Sequence, residues 1–165
     1  MSERTTRAPA RITDGPERVL LENILDRNRA ALIDTVRGLS DVDARRRLVP
    51  SLTTPVALIK HAAAAERIWF QRFLESGGDT PHPGENGSFV VREDETLAEV
   101  ITEFERASAQ SRVIAAQYDL NDTKQHPRAG TVSIRWIYLL MIEEFARHAG
   151  HSDILVEQIN DRLAR

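Results

Sequence analysis

The chain has 165 residues, a formal net charge of -3, 41% hydrophobic and 28% charged residues, and no cysteine. That balance describes one globular domain with room for a sizeable core. It excludes disulfides, cysteine-ligated zinc and a cysteine nucleophile. It offers no general attraction for nucleic acid or an acidic membrane surface, and no apolar run is long enough to span a bilayer.

Residues 1–12 are polar, hold Pro9 and lack periodicity, so they read as a flexible N-terminal arm with no apolar leader. Residues 13–165 read as a single domain. After the turn Thr13-Asp14-Gly15, Pro16 suits a first helical turn. Leu20, Leu21, Ile24, Leu25, Leu32, Ile33 and Val36 recur at helical spacing, and Gly38 closes this first helix. Ser40 caps a short helical turn through Arg46, and Leu48-Val49-Pro50-Ser51 is an extended link. Thr54 is an N-cap with Pro55 at the first helical position, and helix two runs to Ser76 before Gly77-Gly78. Residues 79–94 form a long loop with Phe89-Val90-Val91 briefly extended. Thr96 and Glu99 have capping-box spacing and open helix three. Residues 121–131 form a second loop. Ser133 caps helix four over residues 134–159, and residues 161–165 are a frayed end. The expectation is all-α: a four-helix bundle of helices of about 20 to 26 residues, with long loops after helices two and three.

Helix four has an unusual inward stripe. Ile134, Ile137, Met141, Glu144, His148, His151 and Leu155 are three or four residues apart, which keeps them on one face. A carboxylate and two imidazoles interrupt an otherwise aliphatic seam. Burying each without a partner costs roughly 2–7 kcal/mol. A metal ion or a hydrogen-bond network removes most of that cost. Glu144 and His148, at i and i+4, project together, and the oxygen and nitrogen donors suit divalent first-row metals. His61, set against the core by Leu58, Ala62 and Ala65, is the candidate for a further ligand. The plainer reading pairs Glu144 with an arginine and leaves His148, His151 and His61 as hydrogen-bonded core or rim histidines.

The remaining prominent residues also have two readings. His82 and His126 lie beside prolines in loops and read as solvent-exposed. Trp69, Phe70 and Trp136 read as core packing, with pocket lining the alternative. Arg45-Arg46-Arg47 reads as a solvated or ion-paired face, with an anion site the alternative. Arg147 reads as a surface ion pair, with a partner to the ligands or to a substrate carboxylate the alternative. No phosphate-binding glycine loop, GxSxG elbow or HExxH helix is present.

Several blocks occur together and in order: Leu48-Val49-Pro50-Ser51, Lys60-His61, Glu66-Arg67-Ile68-Trp69-Phe70, Ser133-Ile134-Arg135-Trp136, and residues 142–151 from Ile142 through Glu143-Glu144, Arg147-His148 and Gly150 to His151. In these blocks the chain resembles the DinB superfamily, the metal-binding bundles that include YfiT-like proteins and mycothiol-dependent maleylpyruvate isomerases. The resemblance covers about residues 25–159. It implies a bundle with non-sequential wiring, forming a homodimer in many members, and one divalent metal, zinc or nickel, held by three residues. The family's helix-two histidine matches His61. Its two helix-four ligands, four residues apart, match Glu144 and His148, and His151 is an alternative or supporting ligand. The resemblance further implies a metal-dependent S-transferase, and the absence of cysteine fits a cytoplasmic protein. A metal-bound thiolate, mycothiol-like given the arginine- and alanine-rich composition, would attack a small electrophile. The alternative is a non-catalytic bundle that binds a metal or small ligand and dimerises.

Overall fold

Side-chain caps start most of the long helices where the sequence places them. The structure, a computed structural model, describes residues 8–76 and 87–164. Helix α1 (Glu17–Val36) follows Pro16 without a side-chain cap and ends just before Gly38, whose φ of +87° needs a residue without Cβ. Ser40 caps α2 (Asp41–Ala44). Thr54 accepts from the Ala57 amide at 3.2 Å to open α3 (Pro55–Glu66).

Beyond α3 the chain stays helical but widens. Arg67–Arg72 forms a π turn, in which the Phe73 amide bonds the carbonyl of Ile68, five residues back. Helix α4 (Phe73–Ser76) continues it. Helix two of the sequence reading is therefore three segments. Gly87–Phe89 is a 3-10 turn, not the extended stretch expected around Phe89. Helix α5 (Leu97–Ala115) begins at a complete capping box of Thr96 and Glu99.

The second expected loop is largely an antiparallel hairpin. Strand β1 (Thr123–His126) pairs with β2 (Gly130–Ser133), His126 opposite Gly130. Gly130 has a φ of +72°, and Nδ1 of His126 accepts from the amides of Arg128 and Ala129 at 3.2 and 3.0 Å. Ser133 then accepts from the Trp136 amide and starts α6, a 30-residue helix (Ile134–Leu163) that continues past the expected end.

Helix α1 lies along α6 and α3 along α5, and α3 joins the pairs by packing on α6 and α1. Phe70, Phe73, Phe104, Phe145, Leu25, Leu32 and Met141 fill the middle, all essentially inaccessible. Polar pins fix the rotation of α6 on α1. Asn28 donates to the carbonyl of Ile142 at 3.0 Å, Thr35 to the Ser152 hydroxyl at 2.6 Å, and Tyr138 to Glu22 at 3.1 Å. Burial, foremost, and the Glu22 charge hold the Tyr138 phenol well above its usual value, so it remains a donor. Residues 9–12 are tied to α1: Asn23 donates to Ala10 and accepts from the Ile12 amide, and Arg27 donates to Pro9.

A charge pair crosses the core where the π turn begins. Arg29 of α1 donates from Nε and Nη2 to the two carboxylate oxygens of Glu66, at 2.7 and 2.9 Å. Its Nη1 reaches Asp26 at 2.7 Å. Ser111 of α5 donates to the Glu66 carbonyl at 3.4 Å. Burial alone would lower the Arg29 guanidinium, but the charge and hydrogen bonds of Glu66 outweigh it and raise its pKa. The Glu66 side chain is 0% exposed, so removing one partner leaves a bare charge. Glu66→Ala should therefore cost about 3–5 kcal/mol in urea unfolding, and the double change Arg29→Met with Glu66→Leu should recover most of it.

Candidate metal centre

Helices α3 and α6 bring three of the singled-out residues to one point. His61 lies in the middle of α3, and Glu144 and His148 are one turn apart on α6. The Nε2 atoms of His148 and His61 lie 3.2 and 3.6 Å from the same carboxylate oxygen, Oε2 of Glu144. One donor atom from each residue falls within 4.8 Å of the other two. The two imidazoles meet edge to face, centroids 4.8 Å apart.

The 3-10 turn holds His61 from its other side. Phe89 stacks on the imidazole at 4.3 Å and 14° between planes. The Ser88 hydroxyl sits 2.8 Å from Nδ1. When Nδ1–H donates to Ser88, Nε2 presents its lone pair toward Glu144, the arrangement in which histidine ligands are oriented by a second hydrogen bond. Sequence reasoning missed Ser88, because nothing in a long loop marks which hydroxyl will return to the core.

The electrostatics at Glu144 follow from these contacts. The hydrogen bond with His148, then the His61 ring 3.6 Å away, outweigh partial burial and hold its carboxyl far below the usual range. Glu144 is thus ionised at neutral pH. The side chains of His61, Glu144 and His148 are 21%, 26% and 11% exposed, so the cluster sits at a mouth and not in a sealed core.

His151 does not join them. It is exposed, with its ring 5.7 Å from that of His148, and Ser152 takes the inward position the stripe assigned to it. His126 is also corrected: it is half-buried, its ring stacked 5.2 Å from Trp69. Trp136 packs its edge on Trp69 at 5.3 Å but stays 41% exposed, outside the core. Phe70 is core. Arg45 donates to the carbonyls of Arg92 and Glu95, Arg46 pairs with Asp43, and Arg47 donates to Pro50 and Ser51, which leaves no free triplet for an anion. Arg147 is exposed and has no acidic partner among the described residues. His82 lies outside the described residues.

The donor set fits a divalent cation. Two Nε2 atoms, one from each histidine, converge on one carboxylate oxygen. Ligand atoms about 2.1 Å from a shared tetrahedral centre are roughly 3.4 Å apart. The observed 3.2 and 3.6 Å bracket that spacing. His61, Glu144 and His148 could supply two nitrogens and one oxygen, leaving a fourth position for a further ligand.

The chain is mostly helical and points histidine and glutamate side chains from two helices at one another, and its family match places it in the DinB-like class of proteins. Within it, the family model described as Mycothiol-S-transferase matches residues 20–161, and the chain belongs to that family. The match spans His61, Glu144 and His148. No curated protein matches the chain. Among the described residues, no helix is long and apolar enough to cross a membrane.

The Glu144 shift has a definite sign. Its folded-state pKa lies below the unfolded value near 4.5, so its contribution to stability is complete above that value and lost as pH falls toward the depressed one. Urea unfolding of chelator-treated protein from roughly pH 6 to pH 3 should show that loss, and Glu144→Gln should flatten it.

Proposed function

We propose that the protein is a divalent-metal-dependent S-transferase, with mycothiol as the low-molecular-weight thiol and a small electrophile as the acceptor. One observation supports this above the others: His61, Glu144 and His148 converge at a solvent-facing mouth in a chain with no cysteine of its own. A nucleophilic sulfur must therefore come from outside. A cation held there, zinc or nickel by the donor set, would supply one thing: stabilisation of the incoming thiol as its nucleophilic thiolate.

The chain's own groups prepare the site. Ser88 and Phe89 fix the plane of His61, so that Nε2 meets the other two donors without rotamer freedom to lose. Glu144 remains charged and offsets a cation's positive charge. The pins between α1 and α6 hold Glu144 and His148 toward α3. In the overall reaction the thiol proton passes to solvent and a C–S bond forms. A leaving group departs with its bonding pair, or a double bond takes up a proton. The same reading places the protein in the cytoplasm, where thiols stay reduced, and treats α1, α3 with its continuation, α5 and α6 as a four-helix bundle.

Two measurements test the proposal together. Zn²⁺ or Ni²⁺ should raise the melting temperature of the chelator-treated parent but not of His148→Ala, because a ligand selective for the folded state stabilises it. Metal-loaded protein should consume mycothiol and a chloronitrobenzene faster than thiol and metal alone, and His61→Ala should fall to that background. A melting shift without turnover across several metals and electrophiles would leave a metal-binding bundle with no catalysis. No shift would remove the metal site.

A further inference from the structure

The chain's two tryptophans, Trp69 and Trp136, meet each other on the same pair of helices that carries the metal donors. On α3 and its continuation, His61, Ala65 and Trp69 follow at steps of four residues. On α6, which runs antiparallel to it, Trp136, Leu140 and Glu144 do the same. Contacts close both ends of this strip. Nε2 of His61 lies 3.6 Å from Glu144, and the two indole rings are 5.3 Å apart. Two steps of four residues advance about 12 Å along a helix, so both helices set the same span between the donors and the indoles. The small Ala65 and the half-buried Leu140 lie between. Trp69 sits in the π turn, which rotates less per residue than an α-helix and so keeps its ring nearer the direction of His61.

The indole pair is braced. His126 stacks on Trp69 at 5.2 Å, Phe73 meets it at 5.9 Å, and Trp136 lies against it at 65° between planes. Trp136, held in this way, still keeps 41% of its surface in water. A large ring with little rotamer freedom left to lose is a platform for a ligand's apolar face. Glu143 and Arg147 fall within about 40° of Trp136 and of each other around the α6 axis. Both are exposed, with no hydrogen bond or ion pair among the described residues. An aromatic platform flanked by a spare acceptor and a spare donor suits a sugar or cyclitol ring. The C–H face of such a ring packs on indole, and its hydroxyls both donate and accept.

We propose that Trp136, backed by Trp69, stacks the hydroxylated ring portion of the thiol cosubstrate, with Glu143 and Arg147 bonding its hydroxyls. Mycothiol carries its sulfur on a cysteinyl amide of an aminosugar joined to a cyclitol. About eight bonds separate the sulfur from the cyclitol, roughly 10 Å in extended form, which matches the span from the donors to the indoles. A thiol whose sulfur reaches the open position beside His61, Glu144 and His148 thus lays its far ring on Trp136. The proposal rests on the transferase reading above and assigns the subsite that selects ring-bearing thiols over simple ones.

Because no other tryptophan is present, intrinsic fluorescence reads this pair alone. Zinc-loaded protein is titrated, without electrophile, with mycothiol, with the same aminosugar–cyclitol lacking its cysteinyl group, and with N-acetylcysteine. Mycothiol and the ring compound should change the tryptophan emission, and N-acetylcysteine should not. By calorimetry, Trp136→Ala should raise the Kd of mycothiol about fivefold and leave that of N-acetylcysteine unchanged, with Trp136→Phe recovering part. The double change Glu143→Ala with Arg147→Ala alters only exposed side chains and should weaken mycothiol and the ring compound alike. An equal effect of Trp136→Ala on both thiols, or none on mycothiol, overturns the proposal. If mycothiol binds through Trp136 but no electrophile is consumed, the transferase reading falls and the ring subsite stands. If electrophile is consumed and Trp136→Ala leaves the KM of mycothiol unmoved, the subsite falls and the transferase reading stands.

Discussion

The buried pair of Arg29 and Glu66 constrains the rest of the molecule. Taken as energy alone it is unremarkable, because desolvating two charges consumes most of what their attraction returns. Its force lies in what it forbids. Any rotation of α3 that separates Glu66 from Arg29 strands a carboxylate at 0% exposure. Ser111 ties the same residue to α5, and Gln71, within the π turn, donates to the Ala107 carbonyl of α5 at 3.0 Å. Two helices, α1 and α5, therefore agree on the phase of α3. His61 lies five residues before Glu66 on the same straight helix, so its direction is set by the same agreement.

The molecule holds two polar islands in its helical interior, and they differ in kind. Around Arg29 and Glu66 the strong donors and acceptors are matched, and the second carboxylate, Asp26, is balanced by Arg112 at 2.8 Å. Such a set has nothing to offer a ligand. Around Glu144 the account is incomplete: one carboxylate oxygen faces two ring nitrogens that no other described group satisfies from the solvent side. Unfilled valence at a half-exposed mouth is a feature of a site, and saturated valence in a dry core is a feature of a scaffold.

What could be read from the sequence was what is local. Ser40, Thr54, Thr96 and Ser133 cap helices through hydrogen bonds to residues three positions on, and that spacing is visible in the chain itself. Glu144 and His148 were visible for the same reason. Arg29 and Glu66 were not: 37 residues separate them, and each looks like an ordinary charged residue on an amphipathic helix. The hairpin was hidden because Thr-Lys-Gln-His has no apolar alternation; its order comes from the His126 ring capping the turn and stacking on Trp69. Ser88 needed the return of a loop to α3, which no local rule predicts.

The misplacement of His151 shows why Glu144 is able to act. A helix turns about 100° per residue, and the buried residues of α6, from Ile134, Ile137 and Met141 through Phe145 and His148 to Ser152 and Ile159, centre about 60° from Glu144. The sequence stripe was drawn through Glu144 and so ran off the true centre. His151 falls about 80° from that centre and is carried into solvent. His148 lies near the middle and is buried. Glu144 lies on the boundary, with one side against the imidazoles and the other toward water. A carboxylate at the centre of that face would need a closed set of partners, as Glu66 has. At the edge it keeps its charge, faces two histidines, and leaves space in front of them open.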